Sequence, residues 1–292
     1  MPANAEFGVS SVPPLAHGGM GLVATDLDGT LLDSHKRVSP RTQAVLAQLD
    51  ECHIPLVIAT GRPVRWLPPV WEQLPVRPLC ICMNGAVIYD SFHRQVLRRV
   101  VLKPTVLQDI VQSVHEALPE ACFAVERITS EMTPSTGEGP VEEFLIAENN
   151  EHIWYEQNAP RTSLAALAEE PAAKLLVRAE DISSAEMAEV LCPLVEPVAN
   201  ATYSVDGGLV EISHPVATKG EALVRILDYW DLSEETLLAF GDMPNDMDML
   251  ELAAWGVAVE NAHPAVQAAA DEVTVSNDED GVAVVLERLL SA

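Results

Sequence analysis

The chain has 292 residues, 48% hydrophobic and 21% charged, with 44 acidic side chains against 17 Lys plus Arg and a formal charge of −27. Such a surface repels nucleic acid and anionic membrane, since both need a basic footprint, and no apolar stretch approaches the roughly 20 residues of a membrane span. It also repels a phosphate ester, so any phosphate site needs local positive charge from a metal ion, a lysine and backbone N–H groups.

Residues 1–20 are rich in Pro, Gly, Ser and Ala and carry no basic residue ahead of an apolar core. They read as a disordered tail rather than a secretory signal. Leu22 to Thr25 is a short apolar strand running into Asp26-Leu27-Asp28-Gly29-Thr30. Ser39-Pro40 supplies an N-cap and an N1 proline to a helix with Val45, Leu46 and Leu49 on one side. The next strand, Ile54 to Ala59, ends at Thr60-Gly61-Arg62, and a helix over Val64 to Leu74 follows, interrupted by Pro68-Pro69. Leu79 to Cys82 is a third strand, and Asn84-Gly85 turns the chain into Ala86 to Tyr89. Strands separated by helices argue for a parallel sheet.

From Asp90 to about Val205 the character changes. A helix over Thr105 to Leu118 precedes β-like pieces at Cys122 to Arg127, Phe144 to Ala147 and Lys174 to Arg178, with a loop-like tract from Ser130 to Pro140. This span holds 19 acidic and 8 basic residues and reads as an inserted α+β domain, in which Trp154, Tyr155 and Arg161 are candidate ligand contacts, with core packing or surface placement as the alternative reading. The α/β pattern then resumes. Thr218-x-x-Glu221 is a capping box for a helix whose Leu223, Ile226, Leu227 and Trp230 share one face. Thr236 to Phe240 is a strand ending at Gly241-Asp242-Met243-Pro244-Asn245-Asp246, with strands near Trp255 to Val259 and Glu272 to Val275 and a closing helix over Val282 to Leu290. The five cysteines form no CxxC pair and read as buried thiols of a reducing cytoplasm; a metal site from Cys80 and Cys82 is the weaker alternative.

Ligands of an open parallel sheet bind at the carboxyl ends of its strands. Asp26, Thr60 and Asp242 each end a strand and Lys219 starts a helix, so one cleft can collect them. Taken singly, each is ordinary: an Asp after a strand forms a turn or cap, and a lone lysine is solvated. The four segments in order resemble the haloacid dehalogenase superfamily of phosphohydrolases. The Thr60-Gly61-Arg62 form, the Asn84-Gly85-Ala86 turn and the insertion after Asn84 resemble its Cof-type branch.

The resemblance implies an α/β fold, a Rossmann-like parallel-sheet core over 21–89 and 206–292, with an inserted α+β cap domain over 90–205. It implies that Asp26 is the nucleophile and forms an aspartyl-phosphate. Asp28 would be the general acid and base, with a pKa tuned towards neutrality. Leu27, Thr60, Gly61, Lys219 and Asn245 would bind the phosphoryl group. Asp26, the Asp28 carbonyl and Asp242 would hold Mg²⁺, and Asp246 would orient its bound waters. Arg62, Asn84 and Gly85 are candidate substrate contacts.

Charge repulsion argues the same way, since a like-charged pair ~4 Å apart costs about 4 kcal/mol at an effective dielectric near 20. Several carboxylates around a phosphate dianion therefore need a hard dication as well as Lys219. Oxygen ligands, and eight histidines that all fall outside the motifs, favour Mg²⁺ over Zn²⁺. The expectation is a cytoplasmic Mg²⁺-dependent phosphatase of small phosphorylated metabolites, a sugar phosphate or similar monoester, with no nucleic-acid or membrane partner. A phosphomutase of the same fold and a non-catalytic metabolite-binding regulator are the alternatives.

Overall fold

In the computed structural model, residues 20–132, 140–148, 154, 156, 158–205 and 207–291 are described. The expected disordered tail therefore lies, apart from Met20, outside the described residues, as does Tyr155. Contacts divide the chain into two compact units, residues up to Arg94 together with those from Thr218 onward, and Gln95–Ala217.

The first unit begins β1 Leu22–Thr25, α1 Pro40–Glu51, β2 Leu56–Ala59, α2 Pro68–Trp71, β3 Leu79–Cys82 and β4 Val87–Asp90. The second follows with β5 Gln95–Arg99, α3 Pro104–Ala117, β6 Cys122–Met132, β7 Pro140–Ala147, β8 Arg161–Thr162, α4 Leu164–Leu167, β9 Lys174–Arg178, α5 Ser184–Val195, β10 Asn200–Thr202 and β11 Leu209–Ser213. The first unit then closes with α6 Lys219–Trp230, β12 Leu237–Gly241, α7 Met247–Leu252, β13 Trp255–Ala258, α8 Pro264–Ala269, β14 Glu272–Val273 and α9 Gly281–Leu290.

In the first unit the strands run in the order β14-β13-β12-β1-β2-β3-β4, parallel throughout except for the antiparallel β3–β4 pair. Strands β1, β2, β3 and β12 are buried at every position, which is why they read as unbroken apolar runs rather than alternating ones. The helix expected over Val64 to Leu74 is two short pieces, a 3₁₀ turn at Val64–Trp66 and α2, because the pair of prolines restarts the chain. Ser39 caps α1 by accepting from the Thr42 N–H. Of the box expected at α6, Thr218 Oγ1 accepts from the Glu221 N–H at 3.2 Å, while the Glu221 carboxylate faces Arg225 at 3.5 Å.

The second unit is a mainly antiparallel sheet in the order β10-β11-β9-β6-β7-β8. Alternation along its strands sends Phe123, Val125, Leu175, Val177, Val210 and Ile212 into a core with α3 and α5. Cys122, Ala124 and Leu176 cluster instead with the buried Trp154. The sequence expectation lacked α5, whose Ser183–Glu186 capping box is complete. It also restarted the core at 206, whereas β11 pairs with β9 and β10 in the insert's sheet. Residues 130–132, expected in a loop, end β6, and 133–139 lie outside the described residues. All five cysteines are free thiols. Among the described residues, no helix is long and apolar enough to cross a membrane.

Candidate active site

Register brings the motifs together. Thr25 pairs with Phe240 on one side and Ile58 on the other, so Asp26 leaves β1 level with Gly241 and Ala59, one residue short of Asp242 and Thr60. The Asp26 N–H donates to the Phe240 carbonyl at 3.0 Å, which fixes where the strand ends. Lys219, first residue of α6, is fully buried and donates to Asp26 Oδ1 at 2.6 Å and to Asp246 Oδ1 at 2.5 Å. Asp246 Oδ2 accepts from the N–H groups of Asp242 and Met243, each at 3.0 Å. Both Asp246 oxygens are thus committed to Lys219 and the backbone, so this side chain shapes the site rather than offering itself outward.

Oxygens of Asp26, Asp242 and Asp246 lie within 4.8 Å of one another. Burial raises Asp26 to about 7, with Lys219 opposing and Asp246 and Asp28 reinforcing. Burial and the repulsion of Asp26 and Asp246 push Asp242 up to about 8. Burial disfavours a charged Lys219, but Asp246 and Asp26 outweigh it and hold its pKa above the ordinary lysine range. Three buried carboxylates therefore share one lysine. That deficit of positive charge, with an all-oxygen donor set, fits a hard divalent cation. The buried Asn245 Oδ1, which has no donor among the described residues, fits a water of such an ion's shell.

Local sequence accounts for the close approach of these loops. Gly29 has φ +89°, and a Cβ there would sit on the Asp242 carboxylate. Gly85 has φ +99°, and a Cβ there would run into the Thr218 backbone just before Lys219. Thr30, which the sequence reading passed over, donates from Oγ1 to Asp242 Oδ1 at 3.1 Å; its place inside the D-x-D-G-T segment was the available signal. Asn84, left-handed at φ 56°, takes Asn245 Nδ2 on its Oδ1 at 3.1 Å and sends its own N–H to the Thr60 carbonyl. The Thr60 hydroxyl accepts from the Arg62 N–H at 3.1 Å and so closes the Thr60-Gly61-Arg62 turn. Leu27 is fully buried, and its carbonyl accepts from the Leu32 N–H at 2.9 Å.

Asp28 departs from expectation. Arg62 grips it with two donors, Nε to Oδ2 at 2.6 Å and Nη2 to Oδ1 at 2.7 Å, and Lys36 Nζ reaches Oδ1 at 2.6 Å. Burial pushes its pKa up, but Arg62 and Lys36 outweigh burial and hold it below the usual carboxylate range. The expected tuning towards neutrality is therefore reversed in this arrangement, because two cations stabilise the charged form. Nothing in the local sequence marks Lys36, which lies in an exposed loop.

A parallel-sheet α/β protein with aspartates at two strand ends and a lysine at a helix start is the class that fold and site define. Sequence comparison agrees. The chain belongs to the haloacid dehalogenase-like hydrolases, whose sequence model matches residues 23–286. It is 28% identical over 285 residues to the 5-amino-6-(5-phospho-D-ribitylamino)uracil phosphatase YitU of Bacillus subtilis (strain 168), covering 92% of this chain and 97% of that protein. Against the pyridoxal phosphate phosphatase YbhA of Escherichia coli (strain K12) it is 27% identical, covering 90% and 96%. The crystal structure of SMU.1108c from Streptococcus mutans UA159 matches with a TM-score of 0.75 and 27% identity, covering 94% of this chain and all of that one.

Proposed function

We propose that the protein is a Mg²⁺-dependent phosphatase that hydrolyses the phosphate monoester of a small metabolite through an aspartyl-phosphate on Asp26. The observation that carries this reading is the buried cluster in which Lys219 contacts Asp26 and Asp246 while oxygens of Asp26, Asp242 and Asp246 lie within 4.8 Å of one another. In the first step an Asp26 oxygen attacks phosphorus, and the bond to the leaving oxygen breaks as Asp28 hands it a proton. In the second, water attacks phosphorus, Asp28 takes back a proton, and phosphate departs with Asp26 restored.

Lys219 offsets the charge gathered on Asp26 and the phosphoryl oxygens, and Thr60, Gly61, the Leu27 N–H and Asn245 orient them. Asp26, the Asp28 carbonyl and Asp242 would hold Mg²⁺, with Asp246 ordering its waters. The bound ion would supply charge neutralisation that lets carboxylate and phosphate dianion meet. For Asp28 to give a proton, Arg62 and Lys36 must loosen their hold, so the arrangement described above is that of the substrate-free state. The matched phosphatases named above act on different phosphorylated compounds, one a ribitylamino-uracil and one pyridoxal phosphate, which supports the reaction class more than any single substrate. The free thiols support a reducing compartment such as the cytoplasm.

The deciding experiment is phosphate release from a panel of phosphorylated metabolites. Asp26→Asn should lower turnover at least about a thousandfold with the circular-dichroism spectrum unchanged, and EDTA should stop the wild type until Mg²⁺ is added back. Wild-type turnover by Asp26→Asn would remove the nucleophile assignment, and full activity in EDTA would remove the metal.

A further inference from the structure

We infer that Lys36 is a specificity residue for the leaving alcohol: it leaves Asp28 when an ester arrives and binds an oxygen acceptor, hydroxyl or carboxylate, carried by that alcohol. This rests on the phosphatase reading above. The first ground is the surplus of donors on Asp28. The Arg62 fork already serves both Asp28 oxygens, and Lys36 is a third donor crowded onto Oδ1. A bidentate guanidinium is the stronger and more directional partner.

Exposure separates the two cations. The Arg62 side chain is 17% exposed and the Lys36 side chain 60% exposed, so of the two cations Lys36 exchanges partners with the smaller loss, as solvated ion pairs do. The second ground is the loop that aims the lysine. Lys36 has φ 60°, a conformation that a side chain with a Cβ rarely adopts. Asp33 Oδ1 secures it by accepting the His35 and Arg37 N–H groups, the Asp33 carbonyl accepts the Lys36 N–H, and Gln73 takes the Val38 N–H. The third ground is chemical. An acid that protonates a leaving oxygen stands within hydrogen-bond reach of it, so a cation touching that acid stands beside the leaving group. In a chain of formal charge −27, a cation held there favours alcohols that carry further oxygen acceptors.

The test compares glycerol 1-phosphate with propyl phosphate, which has the same length but lacks the two hydroxyls. Lys36→Met should lower kcat/KM on glycerol 1-phosphate about tenfold or more, chiefly by raising KM. On propyl phosphate the loss should stay under about threefold, and Lys36→Arg should restore most of the discrimination. Thermal unfolding of the variant checks that this exposed substitution leaves the fold alone. Equal losses on both esters, expressed in kcat, would mean that Lys36 acts only through Asp28 and would overturn the inference; so would no loss on either. Phosphate release from no member of the metabolite panel would overturn the phosphatase reading, whereas either of the Lys36→Met outcomes above in an active enzyme would overturn this inference alone, which separates the two failures.

Discussion

Each unit of the molecule buries a lysine, and the two are treated differently. Lys219 is wholly buried and shares Asp26 and Asp246, with Asp242 close by. Lys174, 2% exposed, meets Glu211 at 2.5 Å on one oxygen while Ser204 donates to the other at 3.1 Å, and Glu126 stands opposite it in the β6–β9 register. Among the described residues, the grouping of three acidic ligands close enough to share one ion is the one around Lys219. A buried charge network can staple a sheet, or it can be left short of positive charge so that something else must complete it. Burial and mutual repulsion raise Asp26 and Asp242, as expected of a cluster short of positive charge. Asp28, two residues from Asp26, shows that this is local, since Arg62 and Lys36 hold it in the opposite direction.

Removing each lysine is the strongest way to break the comparison. Lys219→Met strands Asp26 and Asp246, and should destabilise the protein by about 3–5 kcal/mol in urea unfolding and lower kcat/KM at least about a thousandfold. Adding Asp246→Leu should not bring turnover back. Lys174→Met should cost about 3 kcal/mol. Replacing its acidic neighbours as well, with Glu211→Leu and Glu126→Leu, should recover most of that loss, because apolar groups of similar volume often match a buried ion network. If Lys219→Met turned over at the wild-type rate, the two clusters would be the same kind of thing.

Much of the first cluster was legible in the sequence, because short apolar runs ending in Asp or Thr state both a buried strand and what stands at its carboxyl end. Asp26, Thr60, Asp242 and Lys219 could be assigned to one end of a sheet without coordinates. The charge state of Asp28 could not, because Arg62 and Lys36 reach it from separate loops 34 and 8 residues away. The restart at 206 failed for a related reason. Leu209–Ser213 is a good strand by pattern, but pattern does not say which sheet a strand joins, and its partners β9 and β10 are insert strands. Helix α5 was missed where Pro193, inside the helix, interrupts the expected pattern.

A pH series on metal-free protein sharpens the contrast next. Asp26 and Asp242 have folded values of about 7 and about 8, above the ordinary 3.8. Between those limits the folded state binds more protons than the unfolded one, so stability is full below about pH 4 and falls as pH rises through 7 to 8. Asp28 works in the other sense: its depressed value adds stability that is present above the ordinary carboxylate value and lost as pH falls through the folded one. That window lies below about pH 4 and does not overlap the first. The Tm in EDTA should therefore decline between pH 5.5 and pH 8, and Mg²⁺ should raise Tm more at pH 8 than at pH 5.5. A Mg²⁺ increment that is the same at both values would mean that the deficit of positive charge is not what the ion relieves.

The smallest effect compares two hydroxyls that make the same bond. Thr30 donates to Asp242 at 3.1 Å and Ser204 donates to Glu211 at 3.1 Å. Thr30→Val and Ser204→Ala should each cost about 1.5 kcal/mol, the lower end of the range for a hydrogen bond to a charged group. Their consequences should then part. On the proposed reading, losing Thr30 frees a carboxylate that would hold the ion, so the Mg²⁺ concentration for half-maximal phosphate release should rise several-fold, with kcat at saturating Mg²⁺ changed less. Losing Ser204 loosens a pair that Lys174 already satisfies, and the Mg²⁺ requirement should not move. A Ser204→Ala protein that needed more Mg²⁺ would tie the second lysine to the ion, and the distinction between staple and site would have to be withdrawn.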